Sequence, residues 1–417
     1  MIKRFCLYGF LKNLRLFDAF LLLAFRDRGL DFASIGALIA VRRIALNALE
    51  VPSGALADSF GRRRCMVASM ASYVVAYPIL GLAGSTPLLA VAMALMGFGD
   101  AFRSGTHKAL IYSWLRAQGR ESDRTLVYGR TRSWSKLGSA SSALLGGAVL
   151  VAGFDYRYVF LASTLPAALN LLNVATYPAS LDAERKARGT SARHTWSNLR
   201  EGLGRLRTDS GLRSLVVASA AVEGAHAVTK DYLQPLLQTI AIAAALGVAA
   251  ELSDTQRTGL LVGVVTAAFF LASSQASRHA WRLERRLGGA DAAARGLAGV
   301  MAGLGVLLGV LLLLDLSALA VVAFVLVTVV ADAWRPIHVG RFDDLGAPEL
   351  ASTLLSLESQ ARSASAALLA VLVGWAVDWT SGGATPVPAP ALAPVAVVML
   401  LPLTAAFGRG RQETRPS

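Results

Sequence analysis

Charge is what this sequence has least of. Only 16% of its 417 residues are charged, against roughly 25% in soluble proteins. With 54% of the residues hydrophobic, too few polar side chains remain to cover a water-soluble globule of this length. Cysteine is nearly absent: Cys6 and Cys65 are the only two, which excludes a disulfide framework and a cysteine-built metal site. A glycine-rich phosphate loop, an HExxH-type helix and a nucleophile elbow are all missing, and the five histidines are scattered. The chain is therefore expected to be no enzyme and to need no cofactor and no metal.

What is present is apolar sequence in blocks of about 20 residues, the length a helix needs to cross a hydrocarbon core. Twelve such blocks fall near 5–26, 34–57, 65–84, 87–110, 127–152, 157–178, 213–238, 258–277, 296–315, 316–335, 353–377 and 390–407. The amino terminus is basic, then apolar, without a small-residue cleavage site, so it reads as a first span. The formal net charge is +14, and its placement decides its meaning. Arginines gather at Arg62–Arg64, at Arg116, Arg120 and Arg124, between Arg185 and Arg213, between Arg278 and Arg286, and at Arg409, Arg411 and Arg415. The links between these clusters are near neutral. Basic and neutral links alternate as the positive-inside rule requires, which accounts for the charge without a nucleic-acid partner.

The expected fold is an all-α membrane protein of twelve transmembrane helices in two six-helix lobes, with both termini cytoplasmic. Residues 1–179 form the first lobe, 180–212 a cytoplasmic linker, 213–407 the second lobe and 408–417 a cytoplasmic tail. In the linker, Trp196, Leu199, Leu203 and Leu206 recur at helical spacing with basic residues opposite. That is the pattern of an amphipathic helix on the inner membrane face, a solvated linker helix being the alternative.

One short link, "GALADSFGRRR" from Gly54 to Arg64, resembles the loop between spans two and three of the major facilitator superfamily, G-x-L-x-D-R-x-G-R-R. Gly54, Leu56, Asp58, Gly61, Arg62 and Arg63 fall on the pattern, and Ser59 departs from it. The resemblance implies a transporter, in which this loop latches the outward-open state and Asp58 sits against the start of a span near Ser352 and Thr353. "GSASSALLGG" lies over the span-five antiporter pattern G-x-x-x-G-P-x-x-G-G. Gly138, Gly146 and Gly147 match it, while Ser142 and Ala143 replace the Gly-Pro pair. Met93 stands where drug antiporters of the family carry an arginine.

Ionisable residues inside spans are costly and functional by default. Span four carries Asp100, with Arg103 and His107 at i+3 and i+7. Span seven carries Glu223, with His226 and Lys230 at the same spacings and Asp231 beside them. Both sets are expected on single helix faces as candidates for proton or solute binding, and an internally neutralised ion pair is the alternative. Asp18 in span one and Glu50 in span two complete the candidates. Glu358 and Arg362, at i and i+4, are expected to form an intrahelical pair of structural or gating use.

These residues point to a monomeric, multi-pass transporter of a bacterial-type inner membrane. It would move a small polar or charged solute through the lipid bilayer by alternating access, with proton-coupled efflux favoured. A proton-coupled importer or facilitator of a polar metabolite is the alternative. A non-transporting membrane sensor is a third reading.

Overall fold

The computed structural model describes residues 1–104, 106–120, 123–178, 181, 204–243, 251–343 and 351–406. Every regular element among them is helical. Among the described residues, nine helical segments are long and apolar enough to cross a membrane, including Arg62–Leu82, Ala290–Leu313 and Ser317–Phe342. Their outward side chains, such as Leu165, Leu172, Leu313 and Leu319, are exposed leucines, which suits a surface solvated by lipid. The amphipathic linker pattern falls mostly on residues outside the described set.

Backbone contacts divide the chain into two compact units. Unit 1 comprises Met1–Leu30, Ala37–Thr195 and Ala241–Leu271, and unit 2 comprises Asp31–Gly36, Trp196–Ile240 and Ala272–Ser417.

Unit 1 is built on α1 (Ile2–Asn13), α2 (Leu21–Arg26), most of α3 (Phe32–Phe60), α4 (Arg62–Leu82), α5 (Thr86–Arg103), α6 (Thr106–Ala117), α7 (Arg124–Val151) and α8 (Tyr156–Ala175). The first expected span is not one helix. It stops at Asn13, whose side-chain Nδ2 donates back to the Gly9 carbonyl, and restarts at Leu21. Membrane-depth backbone freed from a helix needs other partners, and here the Leu16 amide donates to Ser163 Oγ at 2.9 Å from α8. Phe17 fills the break, stacked on Phe160 and edge-on to Tyr77 at 5.0 Å each. The fifth expected span, α7, is continuous, but Arg130, Arg132 and Lys136 leave only its second half apolar.

Close approach explains the glycines of the partial antiporter pattern. A Cβ at Gly138 would lie 2.4 Å from the Phe10 carbonyl oxygen, and one at Gly146 2.4 Å from that of Leu16. At Gly147 it would meet the Gly259 carbonyl oxygen at 2.5 Å. These residues let α7 pack backbone to backbone on span one and on residues 259–263, as small residues do between membrane helices.

Unit 2 contains α9 (Ser210–Thr229), a 3-10 turn at Lys230–Tyr232, most of α10 (Leu233–Ala243) and the second part of α11 (Asp254–Arg286). It continues with α12 (Ala290–Leu313), α13 (Ser317–Asp343) and α14 (Ala351–Ser381), then a broken last span with α15 (Ala393–Val398) and α16 (Leu403–Ala406). Its core gathers Val222 and Ala225 of α9, Met301 of α12, Trp334 of α13 and Met399. Asp209 caps α9 by accepting from the Gly211 and Leu212 amides at 2.8 and 3.1 Å. The first turn of α3 is also held here: the Phe32 and Ala33 amides donate to the Asp378 carboxylate at 2.9 and 2.7 Å. A carboxylate on two orphan amides at a helix N-terminus gains both hydrogen bonds and the helix dipole. Asp378→Ala is therefore expected to cost about 1–2 kcal/mol of stability. The thermal unfolding midpoint of the detergent-solubilised protein reads it, and an unchanged midpoint would show that the cap contributes nothing.

Candidate functional site

The link that resembles the family loop is built around one backbone conformation. Gly61 has φ +104 between α3 and α4, a region L side chains rarely adopt. The arginines after it hold the neighbouring helices. Arg62 donates to Ser113 Oγ at 2.8 Å on α6. Arg63 donates to the Ala175 and Tyr177 carbonyls at 3.3 and 2.9 Å. Arg4, from α1, donates to the Asn173 and Thr176 carbonyls at 2.7 and 2.9 Å. Two guanidiniums thus cover the carbonyl end of α8, where cations are favoured. Gly54 and Asp58 lie in the last turns of α3, and the side chains of Asp58, Ser352 and Thr353 are outside the described residues.

The expected single face of Asp100, Arg103 and His107 is corrected. α5 ends at Arg103 and α6 begins at Thr106, so His107 belongs to a second helix; Ser104, with extended backbone, turns the chain between them. Asp100 and Arg103 do pair, within a larger cluster. Arg42 Nε and Nη2, from α3, donate to Asp100 Oδ2 at 2.9 and 2.6 Å. Arg103 Nε and Nη2 donate to Oδ1 at 3.1 and 2.8 Å, and the Tyr73 hydroxyl donates to Oδ1 at 2.7 Å. Arg103 Nε also reaches the Tyr73 hydroxyl at 2.9 Å. Asp100 thus ties three helices together with its side chain 8% exposed. Arg42 and Tyr73 were not foreseen as its partners, because they come from other helices and sequence spacing carries no sign of that.

Unit 2 holds the second buried carboxylate. Glu358 is 1% exposed and takes a two-point contact from Arg335, Nη1 to Oε1 at 2.6 Å and Nη2 to Oε2 at 3.0 Å. The Ser219 hydroxyl donates to the same carboxylate. The expected Glu358–Arg362 pair is not formed. Arg362 instead faces Glu223 on α9, Nη1 to Oε2 at 3.4 Å, because Arg335 of α13 already occupies both Glu358 oxygens. Arg335 was missed, although an arginine before Pro336 in an apolar run was a readable signal. The Glu223, His226 and Lys230 face is also interrupted. α9 ends at Thr229, and Lys230 opens the 3-10 turn, where it is exposed. Asp18 pairs with Arg15 at 2.8 Å in the break of span one, and Glu50 lies half-buried on α3.

A cavity of about 520 Å³ opens within unit 1 between α1, the α5–α6 junction and α7. Lys12, Arg103, Lys108, Arg132 and Lys136 line it, with His107, Tyr8, Tyr128 and several hydroxyls, and no carboxylate among the described residues. His107 stacks on Tyr8 at 3.9 Å between ring centroids.

Helical bundles of this kind, broken at membrane depth beside buried ion clusters and a polar cavity, are what secondary transporters are made of. Two solved structures share the fold. The nucleoside transporter NupG superposes with a TM-score of 0.73 at 14% identity, covering 97% of each chain. The D-xylose-proton symporter does so with a TM-score of 0.71 at 14% identity, covering 98% of this chain and 95% of that one. In sequence, the puromycin resistance protein pur8 of Streptomyces alboniger is 29% identical over 153 residues, 37% of this chain and 30% of that protein. The match therefore spans less than a third of that relative. The profile of the Major Facilitator Superfamily matches residues 10–368, so this multi-pass membrane protein belongs to that superfamily of secondary transporters.

Proposed function

We propose that the protein exports a small polar or charged solute across a bacterial-type inner membrane by alternating access, driven by proton exchange. The observation that carries the coupling is the contrast between Glu223 and the other two carboxylates. Asp100 and Glu358 each accept donors from a guanidinium at two points and from a hydroxyl. Among the described residues Glu223 has one ion-pair contact, at 3.4 Å to an Arg362 that is 34% exposed. A coupled carboxylate must lose its partner in one state and regain it in another, and only the loosely held one can do so at small cost. Export is favoured by the glycines of the span-five antiporter pattern and by the name of the partial relative, a resistance protein. The name of one structural neighbour, a proton symporter, favours proton coupling and keeps import as the second reading. Proteoliposomes loaded with candidate solutes and a pH dye test the proposal. Solute counterflow with proton movement of opposite direction is expected, and proton movement in the same direction would establish the importer.

The proposed layout is six spans, a cytoplasmic linker, and six spans, with both termini inside and the chain monomeric. Trp375 and Trp379, stacked and exposed toward the end of α14, suit a membrane–water boundary there. Cysteines introduced at Ser85 and Ser381 are expected to react with an impermeant reagent added outside, and one at Ser191 to stay unlabelled in sealed cells. Labelling at position 191 would overturn this topology.

A further inference from the structure

We infer that the cavity in unit 1 binds a compact organic solute carrying two or more negative charges, as carboxylates or a phosphate monoester. The inference rests on the transporter reading above and names the substrate class of that reading. Its first support is the charge balance of the lining. Among the described residues, five cationic side chains face the cavity and no acidic one does. Arg103 has its counter-charge in Asp100. Lys12, Lys108 and Arg132 have no carboxylate within ion-pair distance among the described residues. Lys12 is half-buried while Lys108 and Arg132 are exposed, and a neutral or cationic solute would leave the three without a counter-charge in one shared cavity, where one carboxylate would offset only one of them. Like charges gathered around one cavity repel one another, and an anion between them relieves that repulsion.

The second support is geometric. His107 lines the cavity, and its Nε2 is buried with no hydrogen-bond partner among the described residues. Such a group costs free energy unless a ligand or water satisfies it. The ring is held in place by the Tyr8 stack on one side and by Phe5, edge-on at 5.6 Å, on another. Lys108 is likewise positioned, over the Tyr112 and Tyr128 rings at 5.6 and 5.4 Å. Arg132 supplies a planar fork that matches a carboxylate or phosphate at two points. The cavity volume of about 520 Å³ falls in the range of small-molecule sites. An anionic lipid headgroup shares this chemistry, so the test separates the two sources.

The full-length protein is reconstituted in nanodiscs of phosphatidylcholine alone or with added phosphatidylglycerol, and its thermal unfolding in the phosphatidylcholine discs is followed with succinate, glycerol phosphate, acetate, glycerol and tetramethylammonium. Succinate or glycerol phosphate is expected to raise the midpoint in a saturable way that weakens with salt, while glycerol and tetramethylammonium leave it unchanged. Lys12→Gln and Arg132→Gln are each expected to weaken that binding about tenfold or more. Arg282→Gln, on α11 and not among the residues that line the cavity, should leave it unchanged. The unfolding transition of each variant without ligand shows that it is folded. If the dianions do not shift the midpoint, or only anionic lipid does, the inference is overturned. If a neutral or cationic solute binds and exchanges instead, the inference falls and the transporter reading stands. If the dianions bind without counterflow, the site is supported and the transport reading falls.

Discussion

Glu223→Gln is expected to abolish accumulation of solute against a gradient while leaving exchange at equal pH close to the wild-type rate. Exchange needs only a binding site that alternates between the two faces of the membrane. Accumulation needs, in addition, a group whose protonation differs between those faces, so removing that group uncouples the two. Glutamine keeps the size and one acceptor oxygen, so the 3.4 Å contact to Arg362 can persist as a neutral hydrogen bond and the fold should survive. Solute uptake and proton flux measured together decide it. Undiminished accumulation would remove Glu223 from the coupling and leave Asp18 and Glu50 as the next carboxylates to test.

Asp100→Ala is expected to destabilise the protein by about 3–5 kcal/mol, the usual loss when one partner of a buried ion cluster is removed. Arg42 and Arg103, 21% and 24% exposed in their side chains, would then be left in a largely desolvated site with no counter-charge. Tyr73 would lose its acceptor as well. The destabilisation should fall when Arg42 is also replaced by methionine, because the double variant deletes the charge that the first one stranded. Thermal unfolding in detergent of the single and double variants measures this. Additive losses would show that Arg42 and Asp100 contribute independently, against the geometry described above.

The all-helical class and the family were legible because they rest on long apolar runs and on a loop whose glycine has to be glycine. Gly61 at φ +104 and the backbone contacts at Gly138, Gly146 and Gly147 are local demands, and local demands leave marks in sequence. The candidate site was legible only as a set of residues. Asp100, Arg103, Glu223, Glu358 and Arg362 were all singled out, yet most of their partners were not. An i, i+4 spacing placed Glu358 with Arg362, but a two-point contact from Arg335 on another helix prevailed. Spacing likewise ran Asp100 through to His107, where the helix ends at Arg103. Partner choice among buried charges depends on which helices touch, and that information is spread over the whole chain. The break in span one was hidden for the same reason. Its cost is offset by Ser163, a residue 147 positions away.

The closure of unit 1 has a consequence for biogenesis. Arg4 finds its acceptors at Asn173 and Thr176, so this contact of the amino-terminal helix has to wait until α8 has been made. Even then the unit lacks a piece, because residues Ala241–Leu271 belong to it and Gly259 seats against Gly147. A ribosome that has finished α8 has not finished this unit. Two half-proteins severed between α8 and α9 and expressed alone would each lack a segment carried by the other. They are suited to reassemble when co-expressed rather than to fold as separate pieces.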